Sequence, residues 1–180
     1  EQTGEIDLLT EEARRILSVT PNDDETRILL AQNLLRQERP KEALQELETI
    51  PEERRSVSVY YALGRGNFFV GRMDEARKHL LKANELTPNN AEVLGSLFRV
   101  ELATGRLQES VQRIQAAFAA DPKSAGLAHL QGVVLSAAGR EEDAQQSFRN
   151  AIKLNPNLTD AYTELAKAYA RVGKTDQVLK

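Results

Sequence analysis

Two histidines, His79 and His129, are the only side chains here whose ordinary pKa lies near neutrality, so they are the first candidates for acid–base or metal chemistry. They stand fifty residues apart and the chain has no cysteine, so a metal site would need carboxylates that no local pattern supplies. The run Glu75-Ala76-Arg77-Lys78-His79 lacks the second histidine that a zinc-protease helix places four residues away. The stretch Gly64 to Gly71 is glycine-rich like a dinucleotide loop, but its spacing is wrong and it lies inside a helical pattern, where packing explains Gly64 better. No serine, histidine and carboxylate set has a local signature. The expectation is a non-catalytic chain with neither cofactor nor metal.

Composition narrows the remaining classes. A hydrophobic fraction of 41% beside a charged fraction of 28% is that of a soluble globular protein. The 24 basic and 27 acidic side chains are mixed along the chain, so no basic stripe suggests a nucleic-acid partner. No apolar run reaches the roughly 18 residues that would span a bilayer, so membrane insertion is not expected, and Glu1-Gln2-Thr3-Gly4 is not the start of a signal peptide. A weakly acidic, mixed surface fits a protein partner. The lack of cysteine suits cytosol or periplasm alike.

What must position these residues is a repeat. Gly71, Gly105, Gly139 and Gly173 are each 34 residues apart, and with ten glycines in 180 positions each further coincidence has a chance of about one in eighteen. Pro88, Pro122 and Pro156 keep the same interval, as do Ala83, Ala117 and Ala151. Ala43, Ala76 and Ala144 mark another column, in which Ser110 replaces alanine. Each glycine follows an apolar helical stretch and precedes a cation (Arg72, Arg106, Arg140, Lys174), which suits a left-handed cap at a negative helix end. The alanines suit close helix crossings, and each proline closes a second helix. The unit is helix, turn, helix, turn.

This pattern resembles the tetratricopeptide repeat family. Residues 125–158 carry Gly132, Gly139, Ala144, Phe148, Ala151 and Pro156, with Gln131 where leucine is usual; residues 57–90 carry Tyr60, Leu63-Gly64, Gly71, Ala76, Leu80, Ala83 and Pro88. Residues 91–124 are weaker, with Ser110 at the small position. Residues 24–56 are weakest: Glu38 replaces the glycine and Pro51 arrives early, which shortens the helix before it. Residues 6–23 read as the second helix of a partial repeat and residues 159–180, ending at Lys180, as another partial repeat, as in a piece of a longer array. The resemblance implies an all-α fold, a right-handed α-α superhelix of antiparallel hairpins with a concave groove.

In that family the first helices line the groove. Carried onto this register, the resemblance places Tyr61, Arg65, Phe68, Arg99, His129 and Lys167 there, a mixed aromatic and cationic set suited to an extended or helical segment with carboxylates. The plainer alternative is that the arginines pair with Glu92 or Glu101 and that Phe68 packs in the seam. A clamp for acidic chaperone tails is not matched, since Ile28, Gln32, Glu92 and Ser96 hold its positions. His79 is expected to face solvent on a second helix. Asp23-Asp24-Glu25 reads as a helix cap, and Glu52 to Arg55 as a solvated turn.

The resemblance therefore implies a protein-interaction scaffold. Competing readings are a non-catalytic arm of a larger enzyme or of a bacterial envelope or secretion assembly, and self-association into a homo-oligomer through the end repeats. The alanine-rich, glycine-arginine turns have a bacterial character.

Overall fold

Left-handed backbone at four evenly spaced glycines sets the frame of the structure. Gly71, Gly105, Gly139 and Gly173 have φ of 79°, 74°, 75° and 72°. At the first of these, the Arg72 amide donates to the Asn67 carbonyl at 2.9 Å and the Gly71 amide to the Phe68 carbonyl at 3.1 Å. That crossed pair satisfies carbonyls which the helix end would otherwise orphan. Glu38 makes the same turn with φ 57°, a conformation that costs a side chain with a Cβ more than it costs glycine.

The computed structural model describes residues 2–173, with side chains from residue 5 onward; Lys174 and Lys180 lie outside the described residues. Among the described residues the chain is entirely helical, without a strand. It divides into two compact units, one up to Thr87 and one from Pro88 onward.

The first unit holds α1 (Gln2–Val19), α2 (Asp24–Arg36), α3 (Pro40–Glu48), α4 (Val57–Phe69) and α5 (Met73–Leu86). Asp23 caps α2 by accepting from the Thr26 amide at 3.1 Å. Helix α3 has nine residues against the fourteen of α5, because Pro51 ends it early and an exposed turn, Glu52–Arg54, follows. Leu30, Leu34, Leu47, Ile50, Val59 and Leu63 form the core, which Ala13 of α1 joins. Gly64 lets α4 approach α5: a Cβ there would lie 2.5 Å from the Leu80 side chain.

The second unit holds α6 (Ala91–Ala103), α7 (Leu107–Ala120), α8 (Ala125–Ala137), α9 (Glu141–Leu154) and α10 (Thr159–Arg171). Asn90 and Ser124 cap α6 and α8 with their side-chain oxygens. Its core gathers Leu94, Phe98, Ile114, Leu127, Val134 and Phe148. At Gly132 a Cβ would stand 2.4 Å from the Phe148 ring, so the ring itself fills the place of a side chain. Thirty-four residues earlier the corresponding residue is Phe98, and α6 and α7 pack less closely than α8 and α9. Between α6 and α7 lies a fully buried carboxylate, Glu101, in an ion pair with Arg113 at 2.6 Å. Ser110, the departure from the alanine column, donates its hydroxyl to the same carboxylate.

Candidate functional site

In the first unit the residues expected in the groove all lie on α4. Tyr61 and Arg65, one helical turn apart, stack so that the guanidinium carbon of Arg65 lies 5.7 Å from the Tyr61 ring centroid. That is cation–π range, and both side chains are half-buried. Arg65 forms no ion pair among the described residues. Phe68 is half-buried and sits edge-on to Phe69, with ring centroids 6.0 Å apart; Phe69 itself is 54% exposed, which its apolar character does not announce. Phe69 and Val70 also line an open cleft of about 420 Å³ beside Arg39, Lys41 and Glu42.

In the second unit the first helices α6, α8 and α10 lie side by side, each touching the next. Arg99 is exposed on α6 and donates to the Ser96 hydroxyl at 3.2 Å. Glu101, one of the carboxylates that the alternative reading offers to the arginines, is bonded by Arg113 and Ser110. His129 on α8 lies against Phe148, with ring centroids 5.8 Å apart, and its Nε2 is buried without a hydrogen-bond partner among the described residues. Burial pulls its pKa below the ordinary value, opposed by the Asp160 and Glu164 carboxylates of α10. Lys167 pairs with Glu164 at 2.7 Å. Two carboxylates of α10, Asp160 and Glu164, thus stand near His129, and one of them pairs with Lys167, a feature that a reading of cationic positions alone does not reach. Arg149 over the Tyr169 ring at 5.7 Å is a second cation–aromatic stack to which the register does not point.

His79 corrects its expectation. Its side chain is only 14% exposed, and its ring lies 6.1 Å from that of Tyr60. Burial lowers its pKa as well, with the Glu75 carboxylate acting in the opposite sense. Among the described residues no three histidine or acidic side chains gather where they could hold a metal ion, and no helix is long and apolar enough to cross a membrane.

Stacked antiparallel hairpins with small residues at their crossings and left-handed glycine turns define a helical repeat protein. Residues 70–133 and 125–158 match models of the tetratricopeptide repeat, and residues 12–83 match the model of anaphase-promoting complex, cyclosome, subunit 3. These matches support assigning the chain to the tetratricopeptide repeat family, whose repeat models cover residues 70–158. A thermophilic tetratricopeptide protein of Thermus thermophilus shares its fold with a TM-score of 0.76 at 19% identity, over 93% of this chain and 92% of that one. MamA residues 41 to the end from Desulfovibrio magneticus RS-1 superpose with a TM-score of 0.63 at 20% identity, over 95% of this chain and 89% of that one. A further MamA structure gives 0.68 at 20% identity, over 88% and 94%. At such identities the likeness is one of fold. Comparison with the curated proteins gave no match.

Proposed function

We propose that the chain is a non-catalytic interaction module that takes up a partner segment bearing carboxylates on the faces of its first helices. Tyr61, Arg65 and Phe68 serve in the first unit; Arg99, His129 and Lys167 serve in the second. The observation that carries this reading is the Tyr61–Arg65 stack. A guanidinium held over an aromatic ring, half-exposed and without a carboxylate of its own among the described residues, is pre-positioned to accept one from a partner. Arg99, exposed and bonded to a neutral hydroxyl, offers the same chemistry on α6. Arginine and aromatic side chains dominate interface energetics, so these few positions carry most of the affinity.

The test is a peptide-display selection on the chain in parallel with the Arg65→Glu plus Arg99→Glu variant, both checked for helicity by circular dichroism. Acidic peptides enriched by the parent and lost by the variant support the reading. Equal enrichment by both, or enrichment without acidic residues, refutes it.

A further inference from the structure

Two residues of the first unit depart from their columns, and the fold brings them to one place. The first helices α2, α4, α6, α8 and α10 end on Arg36, Phe69, Ala103, Ala137 and Arg171, so among them only α4 ends on an aromatic ring. The second residue of α3, α5, α7 and α9 is Lys41, Asp74, Gln108 and Glu142, so among them only α3 places a cation there. Phe69 and Lys41 line the same cleft of about 420 Å³, together with Pro40 and Val70. A second cleft of about 370 Å³ shares Lys41 and Val70 with the first and follows α3 past Leu44 towards Arg72.

The exposure of Phe69 belongs to its position in the repeat, since every residue of its column is exposed. The cleft lies between two elements in the middle of the unit, the start of α3 and the end of α4. A lone exposed apolar side chain is ordinary, but a ring 54% exposed that walls a cleft with Pro40 and Val70 offers a partner's side chain several apolar surfaces at once. The charges are arranged to match. Arg39 and Glu42 neutralise each other at 2.6 Å. Lys41 makes no ion pair among the described residues. The carboxylates Glu38 and Glu48 each line one cleft only, beyond either end of the pair, whereas Lys41 lines both and so stands in their middle.

Phe69 also joins the cleft to the α4 face that holds Arg65. Its ring meets that of Phe68 edge-on at 6.0 Å. Phe69 follows Arg65 by one helical turn, about 5.4 Å, which an extended segment covers in about two residues. We propose that the cleft is an anchor site for the partner segment: a large apolar side chain packs against Phe69, Pro40 and Val70, and a carboxylate beside it is held by Lys41. This rests on the reading that another carboxylate of the same segment lies on Arg65. The partner is thereby specified as an acidic segment with an apolar residue about two positions from the carboxylate on Arg65.

A random peptide library displayed against the parent, Phe69→Ser, Lys41→Glu and Arg65→Glu tests it, with circular dichroism checking each fold. Phe69 and Lys41 are exposed, so neither change empties the core. Parent-selected peptides are expected to share a large apolar residue close to an acidic one. Fluorescence anisotropy on the leading peptide then compares Phe69→Ser, the peptide with its apolar residue changed to serine, and both changes together. Each single change is expected to weaken binding at least about tenfold, and the pair no more than either alone, because the two remove the same contact. Lys41→Glu is expected to weaken binding of the same peptide by a similar factor. Acidic peptides without a shared apolar residue, sensitive to Arg65→Glu but not to Phe69→Ser, overturn the anchor and leave the reading of the α4 face standing. Peptides indifferent to Arg65→Glu, or a parent that enriches none, overturn both. Losses that simply add in the combined measurement place the apolar residue elsewhere and overturn the anchor.

Discussion

The hydroxyl of Ser110 on α7 donates to the carboxylate of Glu101 on α6, and Glu101 is shielded completely from solvent. Arg113, one turn further along α7, neutralises the same carboxylate at 2.6 Å. The serine that interrupts the alanine column is thus half of a buried polar contact, and its hydroxyl answers a charge that apolar packing could not accept.

Ser110→Ala, which restores the column, is therefore expected to destabilise the protein by about 1–2 kcal/mol, because it strips a donor from a buried carboxylate. Arg113→Met, which leaves the charge without its counterion, costs about 3 kcal/mol. Urea denaturation followed by circular dichroism measures both. A higher midpoint for Ser110→Ala would show that the carboxylate does not depend on the hydroxyl.

Gly132→Ala forces a methyl group into the space of the Phe148 ring, at 2.4 Å, and is expected to cost about 1–3 kcal/mol. Gly139→Ala meets nothing within 4 Å and suffers only from φ of 75°, at about 1 kcal/mol. Thermal melts of the two, side by side, separate steric from conformational demand.

Glu38→Gly works in the opposite direction. It relieves a left-handed φ of 57° but adds freedom to the unfolded chain, for a net gain of about 0.5 kcal/mol. A drop in melting temperature would mean that the Glu38 side chain contributes more than its backbone strain takes away.

Both histidines make the fold sensitive to mild acid. Burial holds the folded pKa of His79 and of His129 below the ordinary 6.5, so the unfolded chain takes up protons that the folded one refuses. Their contribution is complete above pH 6.5 and is lost progressively as pH falls below it. Melting temperatures on either side of that value should show the decline, and His129→Gln should flatten it by its share. A variant with the parent's full slope would remove His129 from the account.

The turns are legible in the sequence because a left-handed cap is a demand on one residue, and glycine is the usual answer; four of them at a fixed interval announce the hairpins. Ala76, Ala83 and Ala151 are equally legible and are fully buried. Tyr61 and Arg65 can be placed near each other because four residues make about one turn. Glu101 cannot be read in this way. A lone carboxylate in a helix is ordinarily read as solvated, and the burial of this one depends on Ser110 and Arg113, nine and twelve positions further on. His79 escapes the sequence for the same reason, since the Tyr60 ring that covers it belongs to a different helix.

At each hairpin crossing one residue from either helix divides the available space: Gly64 with Leu80, Phe98 with Ile114, Gly132 with Phe148. Where the first partner is glycine the backbones close on each other, and where it is Phe98 they stand apart. The α6–α7 hairpin is thus the less closely packed hairpin of the second unit. Its amides should exchange with deuterium earlier than those of α8 and α9 under native conditions, and the polar contact of Glu101 with Ser110 and Arg113 acts there as a latch across the loosest seam of the second unit.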